Sequence, residues 1–382
     1  MEQKGQNRQE QILVGIDVGS TTTKVAVMEV ATGKVLFSDY TRHHSDQLQS
    51  VSRAVKLVKE TLAGRSFLTA MTGSGAKHLS EELEIPYVQE VVANSIALKA
   101  MYGEIGTAIE LGGQDAKIIF FQRDKRTGEL QVADMRMNGS CAGGTGAFVD
   151  EIASLLKTPV EEFDALAAQG TTVYDISGRC GVYAKTDIQP LLNQGVSKEN
   201  LALSAFHAIA KQTIGGLACG KPIRGNVAFL GGPLHFLPEL RAAFIRTLNL
   251  GPDQIIAPDH SHLFAAIGAA MNSDPKTTAS LHDLIERLSH GIKMDFEVKR
   301  MEPLFTDEAD YEDFKTRHAS HDVKKGDLAT YEGNCYLGID AGTQSVKAEL
   351  IDEESGRIVE SCAVNFGAEL PQYGAPNGFC PH

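Results

Sequence analysis

The sequence has few cysteines for its length, and they form no recognisable metal-binding pair. Its six cysteines lie at positions 141, 180, 219, 335, 362 and 380 of 382 residues, and no two stand in a CxxC pair. Cysteines this scattered do not suit a disulfide framework in a chain of this length. A conventional zinc or ferredoxin-type site within one chain is therefore not expected. If Cys141 binds a metal, its partner ligands must come from elsewhere.

Long apolar runs and an excess of basic residues are also lacking. No apolar run approaches the length that crosses a bilayer, and the N-terminal residues MEQKGQNRQEQ are polar rather than signal-like. The net charge of -13 disfavours nucleic acid, whose binders usually present a basic stripe. With 382 residues the chain can form one large or two medium domains. We therefore expect a cytoplasmic protein with no membrane or nucleic-acid partner.

The first forty residues predict a β-meander. Residues 12–16, 25–28 and 35–40 have the pattern of strands, and the segments GSTTT and ATGK between them have the composition of turns. Gly19 is expected to adopt a positive φ, which brings backbone N–H groups close to a bound ligand. The alternative is an ordinary hairpin in which threonine serves only strand propensity.

The side chains around this first turn suit a nucleotide phosphate. Ser20, Thr21 and Thr22 supply hydroxyl donors, and Lys24 supplies a cation. Asp17 ends the first strand, where its carboxylate suits a hydrated divalent cation. The segment therefore predicts a phosphate and Mg²⁺ site.

A second turn of complementary chemistry follows at ELGGQDAK. Apolar strands at residues 108–111 and 116–121 flank it. The backbone of Gly112 and Gly113 can bind phosphate oxygens, while Gln114 and Asp115 can orient and deprotonate a water that attacks a terminal phosphate. Two such turns are stronger evidence for a nucleotide site than one turn, because a nucleotide cleft between two lobes needs a phosphate turn from each lobe.

A third glycine turn lies further along the chain. The strand at residues 226–230 runs into Gly231 and Gly232, and a helix carrying Leu237 and Phe244 follows. Glycines at a strand-to-helix junction allow a flat base and ribose to lie against the backbone. The small-residue helix SHLFAAIGAAM can pack closely on such a turn.

These motifs resemble those of a known superfamily. GIDVGSTTTK, ELGGQDAK and FLGGP look like the two phosphate motifs and the adenosine motif of the acetate kinase, sugar kinase, Hsp70 and actin superfamily. MNGSCAGGTGAF and SGRCGVYAKTDIQPLL look like the activator ATPases of 2-hydroxyacyl-CoA dehydratases and benzoyl-CoA reductases. The resemblance covers about residues 12–273. It implies an α/β, actin-like (ribonuclease H-like) duplicated ATPase fold with a nucleotide cleft between two lobes.

The resemblance also implies cofactors. One [4Fe-4S] cluster lies on the two-fold axis of a homodimer, and each subunit supplies two thiolates, for which Cys141 and Cys180 stand at the matching positions. ATP or ADP binds in the cleft, with Mg²⁺ held through water by Asp17 and Asp115. Gly144 and Thr145, in the loop GGTG, are placed to touch the nucleotide. Helical patterns follow both cysteines, through Phe148, Ile152, Leu155 and Leu156 and through Ile188, Leu191 and Leu192.

The implied function is ATP-driven donation of a low-potential electron. The partner would be a 2-hydroxyacyl-CoA dehydratase-like protein or a related reductase component, and the electron source a ferredoxin or flavodoxin. A small-molecule kinase of the same fold and a non-catalytic, nucleotide-dependent interaction module are the alternatives. Cys141 and Cys180 could also be small buried hydrophobes. Cys219 is expected in the core, and His235 and His262 in packing or capping roles.

The sequence changes character near residue 274. Residues 1–273 are assigned to the ATPase domain, residues 274–335 to a charged linker or arm, and residues 336–382 to an incomplete second domain of the same kind. Gly338 to Lys347 repeats Gly15 to Lys24. Because this copy departs from GSTTTK and looks more like the xylulose kinase branch, the chain is expected to be truncated or a fusion, and Asp340 and Gln344 are assigned no active site.

Overall fold

The computed structural model describes residues 12–61, 67–138, 143–178, 181–273, 281–289, 301–321, 326–342 and 345–365. The chain divides into two compact units, residues 1–293 and 294–382, which are described separately below.

The first unit opens with a four-stranded sheet. Its strands are β1 (Ile12–Val18), β2 (Thr22–Glu29), β3 (Val35–Arg42) and β4 (Phe67–Thr72), in the spatial order β3-β2-β1-β4. The first three strands are antiparallel, and β4 lies parallel to β1. The predicted meander is confirmed, although β2 begins at Thr22 rather than at Val25, because Thr22 already pairs with Arg42.

A second sheet repeats this topology. Its strands are β5 (Thr107–Leu111), β6 (Ala116–Arg123), β7 (Leu130–Met137), β8 (Val227–Leu230) and β9 (Ile255–Ile256), in the order β7-β6-β5-β8-β9. Here β5, β6 and β7 are antiparallel, and β8 lies parallel to β5 as β4 lies parallel to β1. The duplicated α/β fold predicted from the sequence is therefore confirmed.

Helices cover the two sheets. Those before the second sheet are α1 (Gln47–Thr61), α2 (Ala76–Glu82) and α3 (Glu90–Met101). Those inserted between β7 and β8 are α4 (Gly146–Leu155), α5 (Val160–Ala167), α6 (Gly181–Asn193) and α7 (Lys198–Thr213). The later ones are α8 (Gly232–Phe236), α9 (Pro238–Leu248), α10 (Phe264–Met271) and α11 (Leu281–Ser289). Within the described residues no helix is both long and apolar enough to span a membrane.

A larger apolar core and smaller apolar clusters hold the first unit together. Phe148, Phe163, Phe206, Phe229 and Phe244 are fully buried in the larger core, between the second sheet and its helices. Aromatic rings of this size dominate core energetics, and the Phe163 and Phe206 rings meet edge to face at 5.5 Å. This core positions the start of α4 and the end of α7.

The helix α10 packs closely, as its small residues predict, but on β1 and α3. A methyl group added to Gly15 would lie 1.7 Å from the carbonyl oxygen of Ala266, and one added to Gly268 would lie 1.7 Å from that of Ala93. Larger side chains at these glycines would force the elements apart.

Cys219 does not lie in the core. The helix α7 continues as a π-helical turn, Ile214–Ala218, and Cys219 ends that turn in the left-handed conformation with φ of 46° and an exposed side chain. The prediction was wrong because the apolar pattern of α7 continues through Leu217, whereas the chain turns away at Cys219.

The second unit contains the helix α12 (Glu308–Ala319) and a third meander, β10 (Cys335–Ala341), β11 (Ser345–Asp352) and β12 (Ile358–Asn365). Asp340 pairs with Lys347 just as Asp17 pairs with Lys24. The register shift after Leu350 matches the shift after Val27 in β2. The repeat seen in the sequence is therefore a repeat of strand register.

This third meander differs from the other two in its burial. Leu337 and Ile339 of β10 are 60% and 64% exposed, whereas the corresponding strand β1 is almost wholly buried. Within the part of the chain that the structure describes, β10 pairs only with β11, and no strand occupies the position that β4 holds beside β1.

Candidate functional site

The first turn joins β1 to β2 at the end of the first sheet. The amide of Gly19 donates to the carbonyl of Thr22 at 2.9 Å, which closes a tight turn. Gly19 does not have a positive φ, so that part of the prediction was wrong. Ser20 and Thr21 are half-buried, while Thr22 is buried within β2.

The second turn joins β5 to β6. The amide of Gly112 donates to the carbonyl of Asp115 at 2.7 Å. Gln114 is exposed and Asp115 is half-buried. Asn138, a residue that the sequence reasoning missed, holds this turn: its Oδ1 accepts from the amide of Ala116 at 2.7 Å, and its Nδ2 donates to the carbonyl of Gln114 at 3.3 Å.

The two turns lie against each other. A methyl group added to Gly113 would lie 2.1 Å from Oγ1 of Thr21, so the backbone of one turn packs directly on the other. The start of α4 meets the same place, because the amides of Gly146 and Ala147 donate to the carbonyls of Gly112 and Gly113 at 3.0 and 2.8 Å. The two phosphate motifs therefore share one site.

The loop before α4 is anchored at the same site. Gly144 has φ of 81°, which favours glycine, and its carbonyl accepts from the hydroxyl of Thr213 at 3.3 Å. Thr145 precedes the first residue of α4 and is fully buried. A methyl group added to Gly146 would lie 3.2 Å from Pro233 of the third glycine turn. The structure thus brings the GGTG loop beside both phosphate turns.

The third turn follows β8. Gly231 has φ of 90°, and a methyl group there would lie 2.0 Å from the carbonyl oxygen of Leu111, so only glycine fits. Gly232 begins α8 beside the hydroxyl of Tyr40. The helix expected here is divided in two, since α8 ends at Phe236 and Pro238 begins α9.

Aromatic rings surround this third turn. The His235 and His262 ring centroids are 3.9 Å apart, and the Tyr40 and Phe236 rings meet edge to face at 5.1 Å. His235 shares a 2.9 Å hydrogen bond with the hydroxyl of Ser261. Both histidines therefore have packing roles at this turn, as predicted. Burial and the neighbouring His235 lower the pKa of His262 to about 3.

Acidification is expected to destabilise the protein through His262. Its pKa is lower in the folded chain than the ordinary value of 6.5, so the unfolded chain binds the proton more tightly. The stabilisation is complete above pH 6.5 and is lost as the pH falls from 6.5 towards 3. Between pH 7.5 and 5, after allowance for solvent screening, we expect a loss of about 1 kcal/mol.

Thermal unfolding at both pH values measures this loss. The His262→Phe variant, which retains a ring, should have a melting temperature that falls less than the wild type's by roughly 2–4 °C. His44→Asn is the matched control, since His44 is exposed and its φ of 47° suits asparagine. Equal pH dependence in the wild type and His262→Phe would contradict the assignment.

A buried network of charges lies beneath the two phosphate turns. Lys24 binds Asp17 at 2.6 Å, and Lys117 binds Glu90 at 2.9 Å and Glu110 at 3.5 Å. Asp17 and Lys24 are register partners in the first sheet, and Glu110 and Lys117 are register partners in the second. The duplicated fold thus places an acid and a lysine seven residues apart on equivalent hairpins.

Charge and burial act in opposite directions within this network. Burial, the largest single influence, would lower the pKa of Lys24, but the attraction of Asp17 together with that of Tyr40 and Glu90 raises this pKa above its ordinary range. Burial raises the pKa of Glu110 to about 7, against the attraction of Lys117. Breaking such pairs would leave a buried charge uncompensated, which is strongly destabilising.

The sequence reasoning missed Glu90, Glu110 and Lys117. The sequence did contain a signal for Glu110 and Lys117, because DVGSTTTK and ELGGQDAK both place an acid and a lysine at the ends of an eight-residue segment. The structure also shows that Lys24 contacts Asp17 beneath the turn. Lys24 was expected to serve as a cation for phosphate.

One carboxylate oxygen of this network fits a hydrated cation. Oδ1 of Asp17 is fully buried and accepts no hydrogen bond from the residues described, while Oδ2 accepts from Lys24. An anionic oxygen without a protein donor suits a metal-bound water, and Mg²⁺ usually keeps several waters and binds substrate phosphates. Among the described residues no group of three histidine, cysteine or acidic side chains forms a metal cage. The residues present therefore fit Mg²⁺ held through water and phosphate.

Cys141 and Cys180 lie outside the described residues, but the helices that follow them do not. The helix α6 begins at Gly181, directly after Cys180, and α4 begins five residues after Cys141. A methyl group added to Gly181 would lie 2.0 Å from Oε2 of Glu151 on α4, so the two helices are adjacent. The helices that follow the two cysteine positions therefore lie side by side.

The comparisons with known proteins agree with this geometry. The family model described as the BadF/BadG/BcrA/BcrD ATPase family matches residues 14–273. The chain is 29% identical over 224 residues to the (R)-2-hydroxyglutaryl-CoA dehydratase activating ATPase of Acidaminococcus fermentans, a match that covers 57% of this chain and 82% of that protein. It is 28% identical over 267 residues to the activator of lactoyl-CoA dehydratase of Anaerotignum propionicum, covering 68% and 95% of the two chains.

A solved structure is similar as well. The crystal structure of component A of the Acidaminococcus fermentans (R)-2-hydroxyglutaryl-CoA dehydratase has a TM-score of 0.60 to this chain at 26% sequence identity. The similarity covers 70% of this chain and 99% of that one.

Proposed function

The chain belongs to the BadF/BadG/BcrA/BcrD ATPase family, and from that premise we propose that it is an iron-sulfur activator of a dehydratase-like partner. It couples ATP hydrolysis to the donation of one low-potential electron. The recipient is a 2-hydroxyacyl-CoA dehydratase-like protein or a related reductase component, and the donor is a ferredoxin or flavodoxin. The observation that carries this proposal is the convergence of both phosphate turns with the loop that connects Cys141 to α4.

The ATPase chemistry is assigned to the two phosphate turns. The amides of Gly19 and Gly112 close the two turns, so the binding of phosphate oxygens falls to the other turn amides, such as that of Gly113, because amides at tight turns form an anion-binding concavity. Asp115 accepts the proton of the attacking water, and Gln114 orients that water. Gln114 is exposed and Asp115 is half-buried, so both side chains are accessible to a nucleotide.

The cation is assigned to Asp17. Its free Oδ1 holds the water shell of Mg²⁺, while Lys24 neutralises the other carboxylate oxygen at 2.6 Å. When bound, Mg²⁺ would neutralise charge that develops on the transferring phosphate. Thr21, which packs on Gly113, supplies a hydroxyl at the point where the two turns meet.

The cluster is assigned to Cys141 and Cys180 of each of two subunits. Four thiolates complete a [4Fe-4S] cluster, and a two-fold interface supplies them from two chains. When bound, the cluster would supply a one-electron carrier whose potential depends on its hydrogen bonds and solvent exposure. The adjacency of α4 and α6 supports this assignment, since each helix follows one cysteine.

Residues 336–382 are proposed to begin a second domain of the same kind. The support is the matching register of Asp340 with Lys347 and the matching shift after Leu350. Residues 274–335 would then connect it to the ATPase domain of residues 1–273.

Anaerobic purification with iron, sulfide and ATPase assays tests the function. A shared cluster requires about two iron atoms and two sulfides per chain, together with ATP hydrolysis. A kinase would hydrolyse ATP or transfer its phosphate without containing iron. A non-catalytic module would neither hydrolyse ATP nor contain iron. ATPase activity in an iron-free protein that cannot be reconstituted would contradict the activator assignment.

A further inference from the structure

The helix α7 touches the segments that precede and follow the two cysteine positions. The described segment that precedes Cys180 is the extended segment 171–178, and the described residues that follow Cys141 begin at residue 143. The segment before Cys180 packs along the length of α7, and the loop of Gly144 packs on its C-terminal end. The contact between Gly144 and Thr213 thus links the nucleotide site to the helix on which the other segment lies.

The segment 171–178 follows a single stripe of α7. The amides of Thr171 and Thr172 donate to Oδ1 of Asn200, and the amide of Tyr174 donates to Oγ of Ser204 at 2.8 Å. A methyl group added to Gly178 would lie 2.4 Å from the carbonyl oxygen of Ala208 and 2.8 Å from Cβ of Gln212. The contacts on α7 recur every four residues, at Asn200, Ser204, Ala208 and Gln212, which is one face of a helix.

The other cysteine segment meets the end of the same helix. The hydroxyl of Thr213 donates to the carbonyl of Gly144 at 3.3 Å, and Thr213 is 2% exposed. A methyl group added to Gly144 would lie 2.8 Å from Oγ1 of Thr213 and 3.7 Å from Cγ of Gln212. Gln212 and Thr213 therefore stand between the loop of Gly144 and the backbone of Gly178.

Two cavities meet at Gln212. One, of about 550 Å³, is lined by Asp175, Ser177, Gly178, Asp187 and Lys211 as well as Gln212. The other, of about 260 Å³, is lined by Met137, Asn138, Gly143 and Thr213 as well as Gln212. Since Gln212 lines both cavities, a shift of α7 at this residue would change both.

The same residues connect back to the phosphate turns. Gly144 is followed by the first amides of α4, and these donate to the carbonyls of Gly112 and Gly113. A movement of the second phosphate turn thus reaches Thr213 through Gly146 and Gly144, and reaches Gly178 through Gln212. The steps are the hydrogen bonds of α4 and of Thr213, the short stretches of backbone from Gly146 to Gly144 and from Thr213 to Gln212, and the close packing of Gly178 on Gln212.

The end of α7 can accommodate such a movement. After Thr213 the chain continues as a π-helical turn, Ile214–Ala218, that contains Gly215 and Gly216, both exposed. Single π-turns within helices occur often at functional sites, and paired glycines offer backbone freedom that other residues lack. The helix end can therefore shift without disturbing the buried face of α7.

We propose that Gln212 and Thr213 are positioning residues that transmit the state of the phosphate turn Gly112–Asp115 to the segment before Cys180. The inference rests on the proposed function, because the transmitted change would act on the cluster thiolates. It adds to that function a named route, which passes from α4 through the end of α7 to residues 171–178.

Hydrogen exchange with two nucleotides tests the route in the full chain. In the wild type, replacing ADP with a non-hydrolysable ATP analogue should change exchange rates in residues 143–147 and in residues 174–178. In Thr213→Val, which keeps the shape but removes the hydroxyl, the change at 174–178 should fall roughly fivefold, the effect of one lost hydrogen bond. The response at 143–147 should remain, because the contacts with Gly112 and Gly113 are intact.

Thr247→Val is the matched control. Its hydroxyl also donates to a backbone carbonyl, that of Ala243, but Thr247 lies on α9 and its acceptor is in the same helix. This variant should respond as the wild type does in both segments. Gln212→Met replaces a half-buried side chain by one of similar length, and so it tests the route if Thr213→Val does not fold.

The results separate this inference from the proposed function. An unchanged response at residues 174–178 in both Thr213→Val and Gln212→Met overturns the route, whatever the iron content. A protein without iron overturns the activator assignment, whereas hydrogen exchange still reports whether the route exists. In the iron-loaded protein, with each nucleotide at saturation, the difference in reduction potential between the two nucleotide states should shrink in Thr213→Val while iron content stays the same.

Discussion

Replacing Asp115 with asparagine is expected to lower the ATP hydrolysis rate by roughly two orders of magnitude while nucleotide binding is retained. Asparagine has the shape of aspartate but cannot accept a proton from the attacking water. The turn should survive, because it is closed through the backbone of Asp115, whose carbonyl accepts from the amide of Gly112 at 2.7 Å. Steady-state ATPase rates and the dissociation constant of an ATP analogue measure the two effects separately.

Asp124→Asn is the matched control for this variant. Asp124 stands in the next hairpin turn along the chain, where its Oδ1 accepts from the amides of Arg126 and Thr127. Loss of charge at a turn away from the phosphate motifs should leave turnover at the wild-type level. If Asp115→Asn hydrolyses ATP as fast as Asp124→Asn, Asp115 is not the proton acceptor.

The sequence allowed the fold to be predicted because its strands are strongly patterned. The apolar runs before Gly19, Gly112 and Gly231 are all buried strands that end at glycine turns. Their pattern is local, and a local pattern is what sequence reasoning detects. The same holds for the third meander, whose register follows from its repeat of the first.

The interior of the site was harder to predict because it depends on contacts between distant segments. Lys24 binds Asp17 across a hairpin, whereas Lys117 binds Glu90, which lies on α3. A lysine after a glycine turn suggests a phosphate ligand, and only the folded hairpin shows that the ammonium group of Lys24 binds a carboxylate. Cys219 shows the same limit, since an apolar helix pattern does not reveal where a π-turn ends it.

Replacing Cys141 with serine is expected to abolish cluster binding, with iron falling from about two atoms per chain to nearly none. A serine hydroxyl does not replace the thiolate that binds iron. Because the proposed cluster bridges two subunits, the same change should weaken dimerisation. Cys180→Ser should have the same effect. The monomer should stay folded, since its larger core consists of apolar side chains such as Phe148 and Phe206.

Cys219→Ser separates loss of a ligand from loss of any cysteine. Cys219 is exposed, and its thiol contacts only the carbonyl of Gly216 among the described residues. This variant should keep the iron content, visible absorption and sedimentation behaviour of the wild-type dimer. Iron and sulfide assays with analytical ultracentrifugation, on proteins purified together without oxygen, compare the three variants. Because two chains would supply the four thiolates of the proposed cluster, either single change would remove two of the four ligands. Full iron content in Cys141→Ser or Cys180→Ser would therefore mean that the thiolates come from other residues.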